Sequence, residues 1–391
     1  MRVLMIDLAG VGGRYDLEVA NSVERCGCEV RLAHTSYWPS PDLVDEFEVN
    51  RLPLLDYAHT LRRLRGIQKS IRAVEVILNA VISTFSAVVW KPDVVHFLWA
   101  GNSPAWPIER LEALFLRRIG IKTSATIHNV VDHESDDRYL DERERSKYAG
   151  IGGLAFHSEF VRDRVLGSED SRPVTVVPLP PLAPVDRAHI PSAATDGECQ
   201  FLFCGTQRGY KGLPVLMEAW ALVAPLEPSA SLVVAGNTSS RANGRHSGRK
   251  VVTHPRVRLI PHGMTDAEVT ELHRASTVVV LPYLKASQSG AVATAMSLGS
   301  AVISTRVGGI AEQLTSGSEG LLVEPGSSRE LADAMVLMLR DPDRRHEFAV
   351  GALERQHLEH ASNLLGKGLH AMWKQLHSQP QTEPPRIGGT T

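Results

Sequence analysis

Short apolar runs alternate with longer amphipathic stretches along most of the chain. In the first half the strand-like runs are 2–8, 29–34, 93–99, 122–127, 153–156 and 174–177. Helical periodicity fills 14–26, 59–89, 104–118, 137–149 and 158–166 between them. The second half repeats the scheme, with strands at 200–204, 231–235, 256–260, 277–281, 301–304 and 320–323. Its helices fall at 211–224, 265–275, 289–298, 309–315 and 327–340. Strand–helix–strand alternation predicts parallel sheets with helices on both faces. Unbroken runs such as TVVVL (277–281) suit central strands buried on both sides. The alternation stops between Val177 and Gln200, where five prolines forbid helix and remove ladder donors.

The expected fold is therefore α/β, with two Rossmann-like parallel-sheet domains facing a central cleft. Residues 1–180 form the first domain, 181–198 the linker and 199–345 the second domain. Helices over 346–377 are expected to cross back to the first domain, and 378–391 read as a disordered tail.

The stretch 59–90 carries apolar residues at spacings of three and four, among them Val74, Leu78, Val81, Phe85 and Val88. Arg62, Arg63, Arg65, Lys69 and Arg72 crowd its start, and no acid precedes Glu75. One reading is a crossover helix with its apolar stripe on the sheet and a solvated basic face. The other is a basic amphipathic helix, giving peripheral membrane contact through 61–90.

Composition narrows the function classes. Lys and Arg total 42 against 44 Asp and Glu, so no global basic field argues for nucleic acid. The four cysteines, Cys26, Cys28, Cys199 and Cys204, form neither a disulfide scaffold nor a zinc pattern. Asp7 interrupts the first apolar run, which is not that of a signal peptide. No run of 18 or more apolar residues is present, so no spanning helix is expected. The expected location is the cytoplasm, with the inner face of the plasma membrane as the second reading of 61–90.

Three turns have chemistry in reach. The first strand ends in Gly10-Val11-Gly12-Gly13 before a helix, a place where backbone can approach a phosphate. It lacks the third glycine of a dinucleotide fingerprint and reads equally as a plain tight turn. The second domain opens with QFLFCGTQRGYKG, where Gly205, Arg208 and Lys211 stand between strand and helix. Arg as a fork and Lys as a point charge suit a diphosphate; solvated loop cations are the plainer alternative. Third, LPYLKASQSGAVATAMSLG places Ser287, Gln288, Ser289, Gly290 and Ala291 at a helix start. Ser287 or Ser289 can cap that helix, and free amides there can hold an anion. By itself a serine cap is purely structural.

In this order the motifs resemble retaining glycosyltransferase family 4, of GT-B fold, in its bacterial surface-polysaccharide or lipid-linked-sugar members. The resemblance runs from the first strand to about residue 340 and is strongest over 200–325, including VGGIAE and GLLVEPG. It implies a nucleotide-diphosphate sugar as donor substrate, UDP- or GDP-linked, with no cofactor and no metal. It implies that His128, Arg208 and Lys211 carry the reaction. It places Gly12, Gly13, Gly205, Ser287, Gln288, Ser289, Gly290, Ala291 and Thr294 on the donor. A saccharide or lipid-linked acceptor falls to Trp99, Asn102, Asn129, Asp132 and His133, after two strand ends of the first domain. His157-Ser158-Glu159 resembles a structural strand end of the family.

The sequence departs from the family at two positions. The usual pair of glutamates, eight positions apart, is replaced by Ala286 and Thr294. Glu312 is a possible substitute, although an acid in a first helical turn needs no ligand to explain it. A non-catalytic or altered member that binds a nucleotide sugar or partners an active transferase is therefore the alternative. An epimerase or phosphorylase on the same fold is a third.

Overall fold

A computed structural model describes residues 1–35, 47–58, 65–101, 103–128, 146–148, 150–166, 170–184, 199–237, 254, 256–357 and 360–379. The described residues fall into two compact units. One runs from residue 1 to 178 and resumes at 362; the other spans 179 to 361.

The first unit contains strands β1 (Arg2–Asp7), β2 (Glu29–His34), β3 (Arg51–Leu52), β4 (Val94–Phe97), β5 (Lys122–Ile127), β6 (Gly153–Phe156) and β7 (Val174–Val176). They form a parallel sheet in the order β3-β2-β1-β4-β5-β6-β7. Its helices are α1 (Arg14–Glu24), α2 (Arg65–Trp90), α3 (Trp106–Arg118) and α4 (Glu159–Val165). The second unit contains β8 (Gln200–Cys204), β9 (Ser231–Ala235), β10 (Val257–Ile260), β11 (Val278–Leu281), β12 (Ala301–Thr305) and β13 (Gly320–Val323). Their order is β10-β9-β8-β11-β12-β13, again parallel. Helices α5 (Leu213–Val223), α6 (Asp266–Arg274), α7 (Gly290–Ser297), α8 (Ile310–Gln313), α9 (Ser328–Arg340) and α10 (Pro342–His357) join them.

The expected two-sheet α/β architecture is present, and in each sheet the strand order reverses beside the first strand. In such sheets the loops at the carboxyl ends of the two strands flanking that switch point diverge and leave room for a ligand. The switch points lie between β1 and β4 and between β8 and β11. All four residues of β4 and of β11 are buried, as the apolar runs predict.

The last helix, α11 (His360–Ser378), packs on the first sheet. Trp373 is fully buried; its Nε1 donates to Ser124 Oγ at 2.8 Å, and its ring meets His96 edge-on. Gly366 permits the approach, because a Cβ there would lie 2.1 Å from the carbonyl oxygen of Ser22.

Helix α2 overturns the expectation of an apolar stripe on the sheet. Its inward face is largely polar: Glu75 is 8% exposed, Asn79 0%, and Ser83 and Ser86 are buried with Ala80 and Ala87. The outward face is apolar, with Val81 62%, Phe85 68% and Val89 65% exposed. Long-range bonds cause the inversion. Asn79 accepts from the Leu55 amide at 2.8 Å and donates to its carbonyl at 2.9 Å. Glu75 accepts from the amides of Tyr57 and Ala58. Ser83 donates to Glu112 of α3 at 2.6 Å. By length and composition Ser70–Trp90 is apolar enough to cross a membrane, contrary to the sequence expectation. Its polar face is bonded into the unit, so the helix lies along the sheet as the β3–β4 crossover.

Substitutions in α2 should follow this inverted face. Asn79→Leu orphans both Leu55 backbone groups and should cost about 2–4 kcal/mol. Phe85→Ala should change stability by less than about 0.5 kcal/mol, as for an exposed site. Denaturant midpoints of the two variants check this, and the reverse ranking would contradict the orientation.

Candidate functional site

In the second unit, β8 ends at Cys204 and the chain turns at Gly205, whose φ is +138°. Its amide bonds to Ala235 O at 2.9 Å, and Gln207 N bonds to Asn237 O at 2.8 Å, so the loop is held against the end of β9. Arg208 precedes a single helical turn over Gly209–Lys211 and is exposed. Lys211 folds back: a Cβ on Gly205 would lie 2.8 Å from its Nζ, and Nζ sits 5.2 Å from the centre of the Tyr283 ring. Burial pulls the Lys211 pKa down, but Tyr283 and Tyr210 outweigh it and the net shift is upward. Lys211 is a firmly protonated, half-buried cation at the carboxyl end of the switch-point strand.

Gly212 brings this loop onto the one following β11. Its φ is +71°, and a Cβ there would lie 1.8 Å from Pro282 O. Leu284 N donates to Tyr210 O at 2.7 Å across the same seam. After Pro282 the chain passes Ser287, buried, and Gln288 to Ser289, whose Oγ accepts from Val292 N and caps α7. Of the two serines considered as the cap, Ser289 serves. Its own amide donates to Gln313 Oε1 at 2.8 Å, so that donor is already used and is not open to an anion as expected. Gly290 and Ala291 occupy the first two positions of α7, where no intrahelical carbonyl reaches the amides. Thr294 is half-buried one turn further on, Ala286 is buried and Glu312 is exposed in the four-residue α8.

In the first unit the glycine turn is organised from within. Asp7, fully buried at the end of β1, accepts from Ala9 N at 3.1 Å, Val11 N at 2.6 Å and Gly12 N at 2.9 Å. The Gly12 amide expected to face a phosphate is thus bonded to a carboxyl group of its own loop. Gly12 is needed because a Cβ would lie 1.8 Å from Asp16 Oδ1; Gly13 supplies φ +49° at the start of α1. Asp16 is buried, accepts from Trp99 Nε1 at 3.0 Å and lies 3.5 Å from His34 Nδ1. Burial first, and then the neighbouring Asp16, push the Asp7 carboxyl well up. Burial raises Asp16 to about 6.

Rings from four strand ends meet beside it. His128, after β5, is 2% exposed, stacks on Trp99 with ring centres 3.8 Å apart, and donates from Nε2 to Leu98 O at 2.9 Å. Tyr15 meets both rings edge-on. His157 Nδ1 donates to Val177 O, so its Nε2 accepts from Tyr15 Oη at 2.8 Å. Ser158 caps α4 through Val161 N, the structural part expected of it. Burial, reinforced by neighbouring histidine, holds His128 well below its ordinary value. Burial takes His96 to about 3 and His157 to about 4.

The structure thus places Arg208, Lys211 and Gly205 on one loop and Ser287, Gln288, Ser289, Gly290, Ala291 and Thr294 on the adjacent strand's loop and helix. His128 and Trp99 are in contact in the first unit. Asn102, Asn129, Asp132 and His133 lie outside the described residues. Asp7, Tyr15, Asp16, Tyr283 and Gln313 were not anticipated. Asp7 did leave a signal, as the acid that interrupts the apolar run of β1.

Comparison with known proteins bears on what such loops serve. Residues 198–341 match the family described as glycosyl transferases group 1. The match lies within the second unit. Over 158 residues the chain is 28% identical to the D-inositol 3-phosphate glycosyltransferase of Corynebacterium glutamicum, covering 39% of this chain but only 38% of that relative. Among solved structures it is similar to a glycosyltransferase from Rickettsia africae, with TM-score 0.67, 16% identity and coverage of 97% and 99% of the two chains. HepE of Anabaena, solved with UDP-glucose, gives TM-score 0.65 at 14% identity over 97% and 100%. The two-sheet architecture is the GT-B fold, and the group 1 match falls within its second unit.

The protonation states here are open to measurement. In imidazole NMR, His157 and His96 should stay neutral from pH 8 down to 5.5 and titrate near 4 and 3. Each unfolded imidazole takes up its proton near 6.5, so the stability these two rings contribute is lost as pH falls from about 6.5 towards those values. Titration of either near 6.5 in the folded protein would show that the ring cluster is solvated.

Proposed function

We propose that this chain is a retaining glycosyltransferase that moves a sugar from a nucleotide-diphosphate donor to a hydroxyl of a saccharide or lipid-linked acceptor. The observation that carries the reading is the protonated Lys211 held at the β8 switch-point end by Gly205 and Tyr283. An exposed Arg208 stands three residues before it. The group 1 match covers this loop, and HepE was solved with UDP-glucose, so a UDP-linked sugar is the first donor to try, with GDP-linked sugars second.

In this reading the sugar–phosphate bond breaks as the acceptor oxygen bonds to the anomeric carbon from the same face. The acceptor proton passes to the departing phosphate oxygen. Such a step needs positioning and charge stabilisation more than a strong protein base. Lys211 and Arg208 neutralise the departing diphosphate, with help from the Gly290 and Ala291 amides and the helix end. His128 is a poor base, since burial favours its neutral form and lowers its affinity for a proton; it acts by holding Trp99 at the acceptor side. In this scheme these cations and amides do the work of neutralising the diphosphate.

The missing carboxylates at Ala286 and Thr294 favour one other reading, donor binding without transfer. Thermal shifts with UDP, GDP, ADP and dTDP test the site itself. A ligand that binds only the folded state at 100 times its Kd adds about 2.7 kcal/mol and raises Tm. One nucleotide should win clearly, and Arg208→Ala and Lys211→Ala should each weaken it by about tenfold or more, as loss of a charge-assisted bond does. No shift with any of the four at millimolar concentration would sink the proposal. A winner whose sugar conjugate is never turned over would favour the second reading.

A further inference from the structure

Trp99 stands two residues past β4, at the switch point of the first sheet. Its backbone is pinned on both sides. Leu98 N donates to Ile6 O at 3.0 Å, Ala100 N to Thr126 O at 3.2 Å, and Ser103 N to the Trp99 carbonyl at 3.2 Å. Its ring is pinned as well, by the His128 stack, the Tyr15 edge and the bond from Nε1 to Asp16 Oδ1. Yet Trp99 is half-buried, whereas Trp220 and Trp373 are fully buried. An indole left partly open usually turns its N–H towards water. Here the N–H turns inward, to a carboxylate that is 0% exposed. What remains for a ligand is apolar ring surface.

The chain gives up stability for this arrangement. Burying a carboxyl group beside a second one is costly, and burial with that proximity drives Asp7 and Asp16 upward. The groups around the Asp16 carboxyl are Asp7 at the end of β1, His34 at the end of β2, Trp99, and Tyr15 on its own helix. His34, whose proton affinity burial lowers, is neutral at pH 7 and in turn feels Arg51 and Asp56. Position 12 must be glycine to leave room for Asp16. What these concessions secure is the direction of the Trp99 indole.

We infer that Asp16 is a positioning residue that holds Trp99 as a stacking platform for a sugar ring of the acceptor, which rests on the transferase reading for its ligand. The C–H face of a pyranose is its apolar side, and the negative face of an aromatic ring attracts it. A ring fixed in advance loses little freedom when the sugar arrives. Protonation of Asp16 replaces a charge-assisted bond by a neutral one about half as strong, so the platform loosens as pH falls through about 6.

Indole N–H signals in proton–nitrogen NMR test this without donor or nucleotide. The signal lost in Trp99→Phe should move with pH at a midpoint near 6 in the wild type, and should stay fixed in Asp16→Asn. Methyl glycosides of glucose, galactose and mannose serve as probes, and one of them should shift that signal saturably at pH 7. Asp16→Asn, or the wild type at pH 5, should weaken its binding roughly five- to tenfold. In a Trp99→Phe background, followed by calorimetry, Asp16→Asn should add nothing, because the bond it acts through is gone. Thermal shifts with nucleotides should be unchanged in these variants, so a failed platform and a failed donor site read differently. A Trp99 signal that no glycoside moves would overturn the inference. So would binding indifferent to pH between 7 and 5, a measurement that needs no variant, or an Asp16→Asn effect that persists without the indole N–H.

Discussion

The second unit's chemistry depends on the contact of Gly212 with the Pro282 carbonyl, which brings the loops after two adjacent parallel strands against each other. Those loops diverge at a switch point unless something ties them, and here a glycine at positive φ and the Leu284–Tyr210 bond do so. The tie places Tyr283 beneath Lys211, and the Tyr283 ring and Gly205 then confine the ammonium. A cation fixed in advance loses little freedom when an anion arrives, which is the condition for stabilising a leaving group. A side chain at position 212 would open the seam and release Lys211 to solvent.

The first unit uses its switch point differently. Its turn is closed by Asp7, whose carboxyl group gathers three loop amides, and Asp16, Trp99 and His128 stack behind it. Burial pushes the Asp7 carboxyl well up and keeps the imidazoles neutral, while Asp16, raised to about 6, is ionised at neutral pH. The wall combines stacked neutral rings with the Asp16 carboxyl, in contrast to the cationic loop of the second unit.

Much of the architecture was legible because central parallel strands are unbroken apolar runs with helices between them. β2, β5, β6, β8, β9 and β13 fall where the pattern placed them. The two-residue β3 left no run to read. The orientation of α2 was not legible from periodicity, which locates an apolar stripe but not what it faces. Its polar residues are buried by partners far along the chain, Leu55 and Glu112, that no local window contains. The same limit explains Ser289, whose amide is taken by Gln313 twenty-four residues on, and Gly12, whose absent side chain makes room for Asp16 and not for a ligand. The positions of Arg208 and Lys211 were legible, because the spacing from strand end to helix start is local.

The most direct test is a crystal structure with the preferred nucleoside diphosphate bound. The account predicts diphosphate oxygens within about 3 Å of Lys211 Nζ, hydrogen-bonding distance, with the Gly290 and Ala291 amides turned to the same group. A diphosphate held elsewhere, with Lys211 still closed on Tyr283, would contradict it.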